Sequence, residues 1–248
     1  MEFVKYHIAG TDYLVTDDAS ADLIVRTVCA RRTGIGGAGV VVCADNPFGA
    51  RFYRSDGREI PFDASGFFCA ASFLSEKCGT NKISIVTDGG VKECGYISNN
   101  TMCLRMPIPK LNENDIRIRT ADVGSHIDYV KIFFGTSRAV CITDDIYESI
   151  LFGVGEKMSK YSSFKNGADV DFVKVVQKNT VEVRSYERGA GYNVSVNGVV
   201  AAVIALSKLG ILEKNVEVSL DCGKMSVVLS DYISVCASVS KIAKCSLL

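Results

Sequence analysis

Two short segments of the sequence combine a polar side chain with the start of a predicted buried helix. Asp63 stands three residues before Gly66, and Ser195 stands three residues before Gly198. An aspartate can accept and return a proton, which makes Asp63 a candidate general acid or base. Aspartate and serine are also preferred helix caps, so a purely structural role stays open for both residues. We therefore expect the chemistry of this protein at these two helix N-termini.

The second segment carries weaker signs of chemistry than the first. A serine nucleophile needs a neighbouring base, and no histidine is placed in the sequence to activate Ser195. The simpler interpretation is that Ser195 and Asn197 cap the helix that follows them. Ser195 is nevertheless kept beside Asp63 as a catalytic candidate, because the two residues occupy matching places in an internal repeat.

The internal repeat extends beyond these two segments. When Gly66 is laid on Gly198, residues 74–75 and 206–207 are both Leu-Ser, and residues 52–57 loosely match residues 184–189. Apolar alternation and turn residues predict the same order of strands and helix in each half. The sequence therefore predicts an α+β protein built from two copies of one unit, related by a pseudo-twofold axis.

The pattern along the chain also suggests where the two units divide. The segment 107–115 contains two prolines and several polar residues, which is typical of a linker. We expect an N-terminal domain of residues 1–111, completed by a C-terminal strand at about 233–248. Residues 112–232 would form the second domain.

Two local features of the first half carry specific expectations. Helical spacing predicts a helix over Ser20–Arg31, with Leu23 among its core residues. The run Gly34–Gly39 follows this helix and precedes a strand, which is the reverse of a dinucleotide-binding loop. It is interpreted as a tight turn in which two stretches of backbone approach closely.

Composition excludes several classes of partner. The 248 residues carry a net charge of +0 and contain no basic block, so nucleic acid or an anionic membrane surface is not expected as a partner. No apolar run is long enough to span a membrane. The ten cysteines form no Cys-x-x-Cys pair and only two histidines are present, so no metal site is expected. Most cysteines are interpreted as buried, reduced side chains of a cytoplasmic protein.

Four further motifs resemble the diaminopimelate epimerase family, and they follow its order and spacing nearly from end to end. They are the entry turn His7–Tyr13, the turn Gly34–Gly36, the segment Arg54–Glu59 and the Tyr-Glu-Arg-Gly-x-Gly motif Tyr186–Gly191. The resemblance implies two similar domains, each a curved, mostly antiparallel sheet around a central helix. It also implies an active site in the cleft between the domains and a reaction that needs no cofactor.

Enzymes of that family exchange the α-proton of their substrate with two cysteines, each in a turn at a helix N-terminus. The backbone N–H groups of these turns hold the substrate carboxylate, as the helix dipole favours. In this sequence the first turn is Asp63-Ala64-Ser65-Gly66. The second is Ser195-Val196-Asn197-Gly198 if one residue is deleted before Ser195; without the deletion, Val196 takes the place of the cysteine. With either alignment both catalytic cysteines are missing.

The loss of the thiols has a chemical cost. An aspartic acid has an ordinary pKa of about 3.9 and a thiol of about 8.5, so the carboxylate is weaker as a base by roughly 6 kcal/mol. A helix N-terminus stabilises the carboxylate and weakens it further. Burial would act in the opposite direction, but a serine on the other side cannot supply a proton as a thiol does. Stereoinversion with two bases is therefore not expected.

The residues that would bind substrate have changed as well. Where the family has asparagines around its ligand, this sequence has Thr11, Arg54, Thr136 and Asp169, while Glu187 and Arg188 of the family motif remain. Together with Ala64, Ser65, Val196 and Asn197 of the helix turns, they form the expected binding set.

These changes suggest a hypothesis about charge. Arg54 would replace the substrate ammonium group and pair with Glu187, and Asp169 would replace the distal carboxylate and pair with Arg188. Such pairing would leave no charge-matched place for diaminopimelate.

Three functions remain open from the sequence. The first is a cofactor-independent isomerase that acts on another small amino acid or carboxylate, with Asp63 as its single acid or base. The phenazine-biosynthesis isomerases offer a parallel, since Glu59–Phe62 resembles their Glu-Leu-Pro-Phe segment, although their histidine corresponds to Ser65 here. The second is a catalytically silent binding or partner protein, and the third is diaminopimelate epimerase activity itself. A homodimer is left open.

Overall fold

Strands make up most of the secondary structure, and a long buried helix interrupts them once in each half of the chain. The computed structural model describes residues 1–98, 100–112, 114–146, 148–188 and 191–247, and of residues 148–152 the backbone only. The chain divides into two units. Residues 1–106 and 236–248 form the first unit, and residues 107–235 form the second.

The first unit begins with a hairpin and reaches its long helix after three further strands. Its strands are β1 (Glu2–Ile8), β2 (Thr11–Thr16), β3 (Gly39–Asp45), β4 (Phe48–Arg54), β5 (Glu59–Ile60), β6 (Lys82–Ile85), β7 (Lys92–Tyr96) and β8 (Thr101–Pro107). Its helices are a 3-10 helix (Ala19–Ile24), α1 (Val25–Cys29) and α2 (Ala64–Cys78).

The second unit repeats this order after one additional strand. Its strands are β9 (Ile118–Asp122), β10 (His126–Phe134), β11 (Thr136–Ile142), β12 (Asp169–Gln177), β13 (Thr180–Glu187), β14 (Gly191–Asn193), β15 (Asn215–Leu220) and β16 (Gly223–Leu229). Its helices are α3 (Glu148–Ser159) and α4 (Val196–Lys208). The last strand, β17 (Tyr232–Ser246), begins in the second unit and ends in the first.

Strand pairing shows that the two units are copies of one design. In the first unit β1 and β2 form an antiparallel hairpin, β2 pairs in parallel with β3, and β3 pairs antiparallel with β4. In the second unit β10, β11, β12 and β13 pair in the same sequence of directions. The predicted α+β fold with two units of the same strand order is therefore confirmed.

The central helices are buried because they are apolar or small on every side. All residues of α4 from Val196 to Leu206 are buried, and in α2 burial extends from Ala64 to Ala71 without interruption. A helix that is apolar all round needs protein on all its faces, which a curved sheet supplies. This requirement places the start of each helix, and any residue that caps it, inside the protein.

The predicted helix over Ser20–Arg31 is partly wrong. The segment forms a 3-10 helix followed by the short helix α1, which ends at Cys29. A 3-10 helix has three residues per turn, so the residues do not keep the face that the α-helical spacing predicts. Leu23 consequently lies 83% exposed, whereas Val25 and Val28 are buried as expected.

The glycine run is a close backbone approach, as the sequence predicts. A Cβ atom at Gly34 would lie 2.1 Å from the carbonyl oxygen of Thr27, and one at Gly39 would lie 2.4 Å from that of Tyr53. Gly36 has a φ of +80°, in the left-handed region that favours glycine.

The C-terminal strand β17 pairs with β1 up to Ser246 opposite Glu2. One feature of the first unit was not predicted. Cys103 and Cys236 form a disulfide, although most cysteines were expected to be reduced. In the described part of the chain, no helix is long and apolar enough to cross a membrane.

Candidate functional site

Asp63 caps the N-terminus of α2 with one of its two carboxylate oxygens. Its backbone is extended (φ −132°, ψ 119°), and its Oδ1 atom accepts a hydrogen bond of 2.7 Å from the backbone N–H of Gly66. Within the described residues, the second oxygen, Oδ2, receives no hydrogen bond. The side chain is nevertheless buried, since Asp63 is only 7% exposed. Asp63 therefore offers a second carboxylate oxygen that a ligand or a proton could use.

The turn that leads into Asp63 is supported from the neighbouring strand. The Nζ atom of Lys92 lies 5.5 Å from the centre of the Phe62 ring and donates a hydrogen bond of 2.5 Å to the carbonyl oxygen of Gly89. The N–H of Gly89 in turn donates to the carbonyl oxygen of Pro61 at 3.0 Å. Burial lowers the pKa of Lys92. These contacts fix the backbone immediately before the cap.

Apolar side chains lie beneath the first turn of α2. A Cβ atom at Gly66 would lie 3.0 Å from Cγ2 of Val41, 3.1 Å from Cδ1 of Phe52 and 3.3 Å from Cε1 of Tyr13. Glycine lets the helix settle close to these strands. The two candidate binding residues of this turn, Ala64 and Ser65, are both buried. The side chains nearest to this turn, Val41, Phe52 and Tyr13, thus carry no charge.

Ser195 occupies the same cap position at the start of α4. Its backbone is extended in the same way (φ −119°, ψ 115°), and its Oγ atom accepts a hydrogen bond of 3.2 Å from the N–H of Gly198. Oγ also accepts a hydrogen bond of 3.3 Å from Nη2 of Arg138. The structure thus favours the alignment that deletes one residue, because Ser195 is the cap and Val196 is the first helical residue.

Charged side chains, and not apolar ones, lie beneath the first turn of α4. Arg138 is 1% exposed and Asp171 is 0% exposed, and Nε and Nη2 of the guanidinium donate to the two carboxylate oxygens at 2.7 and 2.9 Å. The hydroxyl of Ser185 donates to the same carboxylate at 2.7 Å. A Cβ atom at Gly198 would lie only 2.0 Å from Oδ1 of Asp171, so α4 rests directly on this ion pair.

Arg138 remains charged in this environment. Burial by itself would lower its pKa, but the carboxylates of Asp171, Asp169 and Glu187 outweigh burial and raise the pKa above its ordinary value. Sequence analysis missed both Arg138 and Asp171. A signal was present, because an arginine that precedes the apolar residues Ala139–Cys141 in a strand must find a buried partner.

Asp169 joins the cluster from the start of β12. Its Oδ2 atom accepts a hydrogen bond of 2.7 Å from the hydroxyl of Thr136 and lies 3.5 Å from Nη1 of Arg138. Its Oδ1 atom accepts a hydrogen bond of 3.0 Å from the backbone N–H of Arg188. Thr136, Asp169 and Arg188 are therefore brought together, as the candidate site requires. The expected partner of Asp169, Arg188, contributes its backbone, while the guanidinium at the carboxylate is that of Arg138.

The remaining candidate residues lie at the corresponding strand ends of their own units. Glu187 is buried and its Oε2 atom accepts a hydrogen bond of 3.0 Å from Nδ2 of Asn193. Asn197 is 6% exposed, and Thr11 in the first unit is 2% exposed. Arg54 ends β4 and is half-buried. The pairing of Arg54 with Glu187 stays a prediction, and Gly189 and Ala190 of the family motif lie outside the described residues.

Next to Thr11, the first unit carries an ion-pair cluster of its own. The carboxylate of Asp12 lies 2.9 Å from Nζ of Lys5, and it accepts hydrogen bonds of 2.6 and 3.1 Å from Arg31. Burial tends to raise the pKa of Asp12, but the bonds from Arg31 and Lys5 outweigh it and lower the pKa below its ordinary value. Asp12 is therefore ionised and forms ion pairs with Lys5 and Arg31.

The buried thiols do not replace the missing bases. Burial raises the pKa of Cys29 and of Cys94 to about 12, and it also raises the pKa of Cys69 inside α2. A thiol of such high pKa carries almost no thiolate near neutral pH. Among the described residues, no three His, Cys, Asp or Glu side chains are grouped as a metal site would require.

Comparison with known proteins gives a consistent result. No family model matches the chain. A curated relative, the diaminopimelate epimerase of Clostridium perfringens, is 29% identical over 93% of this chain and 93% of its own length. Another, from Nostoc punctiforme, is 27% identical over 93% of this chain and 92% of its own length.

Solved structures share the fold at much lower sequence identity. A hydroxyproline epimerase from Agrobacterium vitis, crystallised with trans-4-hydroxy-L-proline, has a TM-score of 0.74 at 12% identity and covers 98% of this chain and 90% of its own. A phenazine biosynthesis protein of the PhzF family from Bacillus anthracis has a TM-score of 0.72 at 12% identity. The match covers 100% of this chain and 99% of that protein. The chain is thus similar in sequence to diaminopimelate epimerases and shares the epimerase fold, with Asp63 and Ser195 at the two helix starts where the resemblance implies cysteines.

Proposed function

We propose that this protein is a cofactor-independent isomerase that moves a proton on a small amino acid or carboxylate other than diaminopimelate. Asp63 is its single acid or base. The observation that supports this role is the geometry of the Asp63 carboxylate. Oδ1 is held by the N–H of Gly66, while Oδ2 receives no hydrogen bond from the described residues. The residue as a whole is only 7% exposed. A carboxylate held by one oxygen can exchange a proton through the other.

The second helix start supports a mechanism with one base. Ser195 Oγ already accepts hydrogen bonds from the N–H of Gly198 and from Arg138. A hydroxyl oxygen has two lone pairs, so Ser195 has none left to accept a proton from a substrate. Ser195 therefore acts as a hydrogen-bond donor. Asp63 removes the proton and returns it to the same face of the substrate on a different carbon, so that the double-bond system of the substrate shifts and an isomer is formed.

The substrate must have an acidified C–H bond. The carboxylate is a weaker base than a thiolate by roughly 6 kcal/mol, so the carbon acid must be correspondingly stronger than the α-carbon of a simple amino acid. A conjugated or carbonyl-activated amino acid or carboxylate meets this requirement. One structural neighbour, the hydroxyproline epimerase, was crystallised with a small amino acid, which supports a small amino acid or carboxylate as the kind of substrate.

A binding protein without catalysis is the second candidate. The buried network of Arg138, Asp171 and Asp169 favours it, because these groups satisfy one another and none of them is placed to exchange a proton. Diaminopimelate epimerase activity ranks third, since it is the activity named for the relatives but would lack both thiols.

Solvent-deuterium incorporation separates these functions. The protein is incubated in heavy water with a panel of amino acids, hydroxy acids, their unsaturated analogues and diaminopimelate, and the C–H signals are followed by NMR. Exchange with an activated carboxylate is expected, and Asp63→Asn should abolish it while preserving the helix cap. If no compound exchanges, the protein is not an isomerase of this class. If exchange persists in Asp63→Asn, Asp63 is not the base.

A further inference from the structure

The hydroxyl of Ser195 is in an unusual hydrogen-bonding position. The residue is 97% shielded from solvent, and its oxygen accepts from two donors, the N–H of Gly198 at 3.2 Å and Nη2 of Arg138 at 3.3 Å. Within the described residues, the hydroxyl hydrogen has no acceptor. A buried O–H group without an acceptor costs free energy, which a ligand atom could recover by accepting that hydrogen bond.

The guanidinium that contributes one of these donors cannot turn away. Nε and Nη2 of Arg138 hold the two oxygens of Asp171, and Nη1 lies 3.5 Å from Asp169 and 3.4 Å from the hydroxyl of Thr136. Asp171 is itself held by Ser185. A planar guanidinium bound on several sides has one orientation, so the bond from Nη2 to Ser195 is a fixed property of this site.

We propose that Arg138 is a positioning residue that makes Ser195 a one-way hydrogen-bond donor. By occupying the second lone pair of Oγ, Arg138 prevents Ser195 from acting as a base and directs its hydrogen outward to an acceptor atom of the ligand. This inference rests on the proposed function only in placing a ligand at the start of α4. In the first unit the strand position that corresponds to Arg138 holds Tyr13 and not an arginine.

A cysteine at position 195 reports on this interaction without any substrate. In Ser195→Cys the sulfur replaces Oγ, and the ultraviolet absorbance of its thiolate, taken as the difference from the wild-type protein, gives its titration curve. Arg138 stabilises the thiolate, so adding Arg138→Gln is expected to lower the thiolate-to-thiol ratio at a fixed pH by about tenfold or more. Arg138→Lys keeps the charge and should restore most of the ratio.

A second variant guards against loss of folding. Removing Arg138 alone leaves the carboxylate of Asp171 without its cation, whereas Arg138→Met with Asp171→Val removes both partners of the central pair and puts apolar side chains in their place. In this double variant the thiolate-to-thiol ratio at position 195 should also fall by at least about tenfold, because apolar burial raises thiol pKa values. Circular dichroism confirms that each variant is folded.

The first unit supplies the matched control. Asp63→Cys places a thiol at the equivalent cap of α2, over Tyr13 and Val41, and adding Tyr13→Phe should change its ratio by no more than about twofold. An unchanged ratio at position 195 in both folded variants that lack Arg138 would overturn the proposal. The test is independent of catalysis, so absence of deuterium exchange would refute the isomerase function and leave this result standing.

Discussion

The starts of α2 and α4 have the same backbone conformation, but uncharged side chains lie beneath the first and charged side chains beneath the second. In the first unit Tyr13 pairs with Gly39, and Val41 pairs with Phe52. In the second unit Arg138 pairs with Asp169, and Asp171 pairs with Ser185. These pairs occupy equivalent positions, so each strand position beneath the helix is uncharged in one unit and polar or charged in the other.

The difference concerns where the carboxylate lies relative to the helix. In the first unit it is the cap itself, Asp63, with one oxygen left unbonded by the described residues. In the second unit carboxylates lie beneath the helix, and Arg138, Ser185 and Thr136 bond them. Duplication has thus produced one half with a group that can exchange a proton and one half with fixed donors.

The largest effect on stability is expected from breaking the ion pair under α4. Arg138→Met leaves Asp171 as a buried charge without its cation, and removal of one partner of such a pair typically costs about 3–5 kcal/mol. The equivalent change in the first unit, Tyr13→Phe, should cost about 1 kcal/mol or less. Denaturant unfolding measures both. If the two variants are equally stable, the buried ion pair under α4 contributes no more to stability than the uncharged side chains under α2.

Alanine at the two helix glycines tests the same difference sterically. A Cβ atom at position 198 would lie 2.0 Å from Oδ1 of Asp171 and 2.7 Å from Nη2 of Arg138, so the buried pair must move. Gly198→Ala should cost about 2–3 kcal/mol, within the range for overpacked cores. Gly66→Ala meets side-chain carbons at 3.0 Å or more and gains helix propensity, so it should stay within about 1 kcal/mol of the wild type.

The pH dependence of stability should follow the ion pairs at the edge of the first unit. The pKa of Asp12 is lowered in the folded state. Its contribution is therefore fully present above the unfolded pKa of about 3.9 and is lost as the pH falls through the lower folded value. Asp12→Asn should reduce the free energy of unfolding at neutral pH by about 1 kcal/mol, since Arg31 is well exposed.

The difference between Asp12→Asn and the wild type should shrink as the pH is lowered below about 4. Lys5→Met is the matched control, because it removes a partner of the carboxylate and should weaken the same acid transition. A constant difference across that pH range would mean that Asp12 does not carry the transition.

The sequence predicts those parts of the fold and site that leave a local pattern. The apolar and small residues of α2 and α4 predict buried helices, and Asp63 and Ser195 predict their first turns. Leu23 was misplaced because the same spacing has a different meaning in a 3-10 helix than in an α-helix. Local sequence patterns therefore locate the helix caps, but they do not distinguish a 3-10 helix from an α-helix.

The Arg138–Asp171 pair could not be predicted from local pattern. The two residues are 33 positions apart and meet only because β11 and β12 pair in parallel. Cys103 and Cys236 are 133 positions apart and meet for a similar reason, through the pairing of distant strands. The sequence shows that a buried arginine needs an anion, but the register of two strands decides which aspartate provides it.

The smallest effect on stability is expected at Asp63, one of the two caps, where the backbones of the two units are most alike. Asparagine caps a helix as well as aspartate does, so Asp63→Asn should change the free energy of unfolding by less than about 0.5 kcal/mol. Ser195→Ala removes a cap and also the acceptor of Arg138, and should cost about 1–2 kcal/mol. Thermal unfolding of both variants, beside deuterium exchange, separates the two roles. A large loss of stability in Asp63→Asn would mean that the carboxylate is structural, because a residue that only exchanges protons through Oδ2 can lose its charge without unfolding the helix it caps.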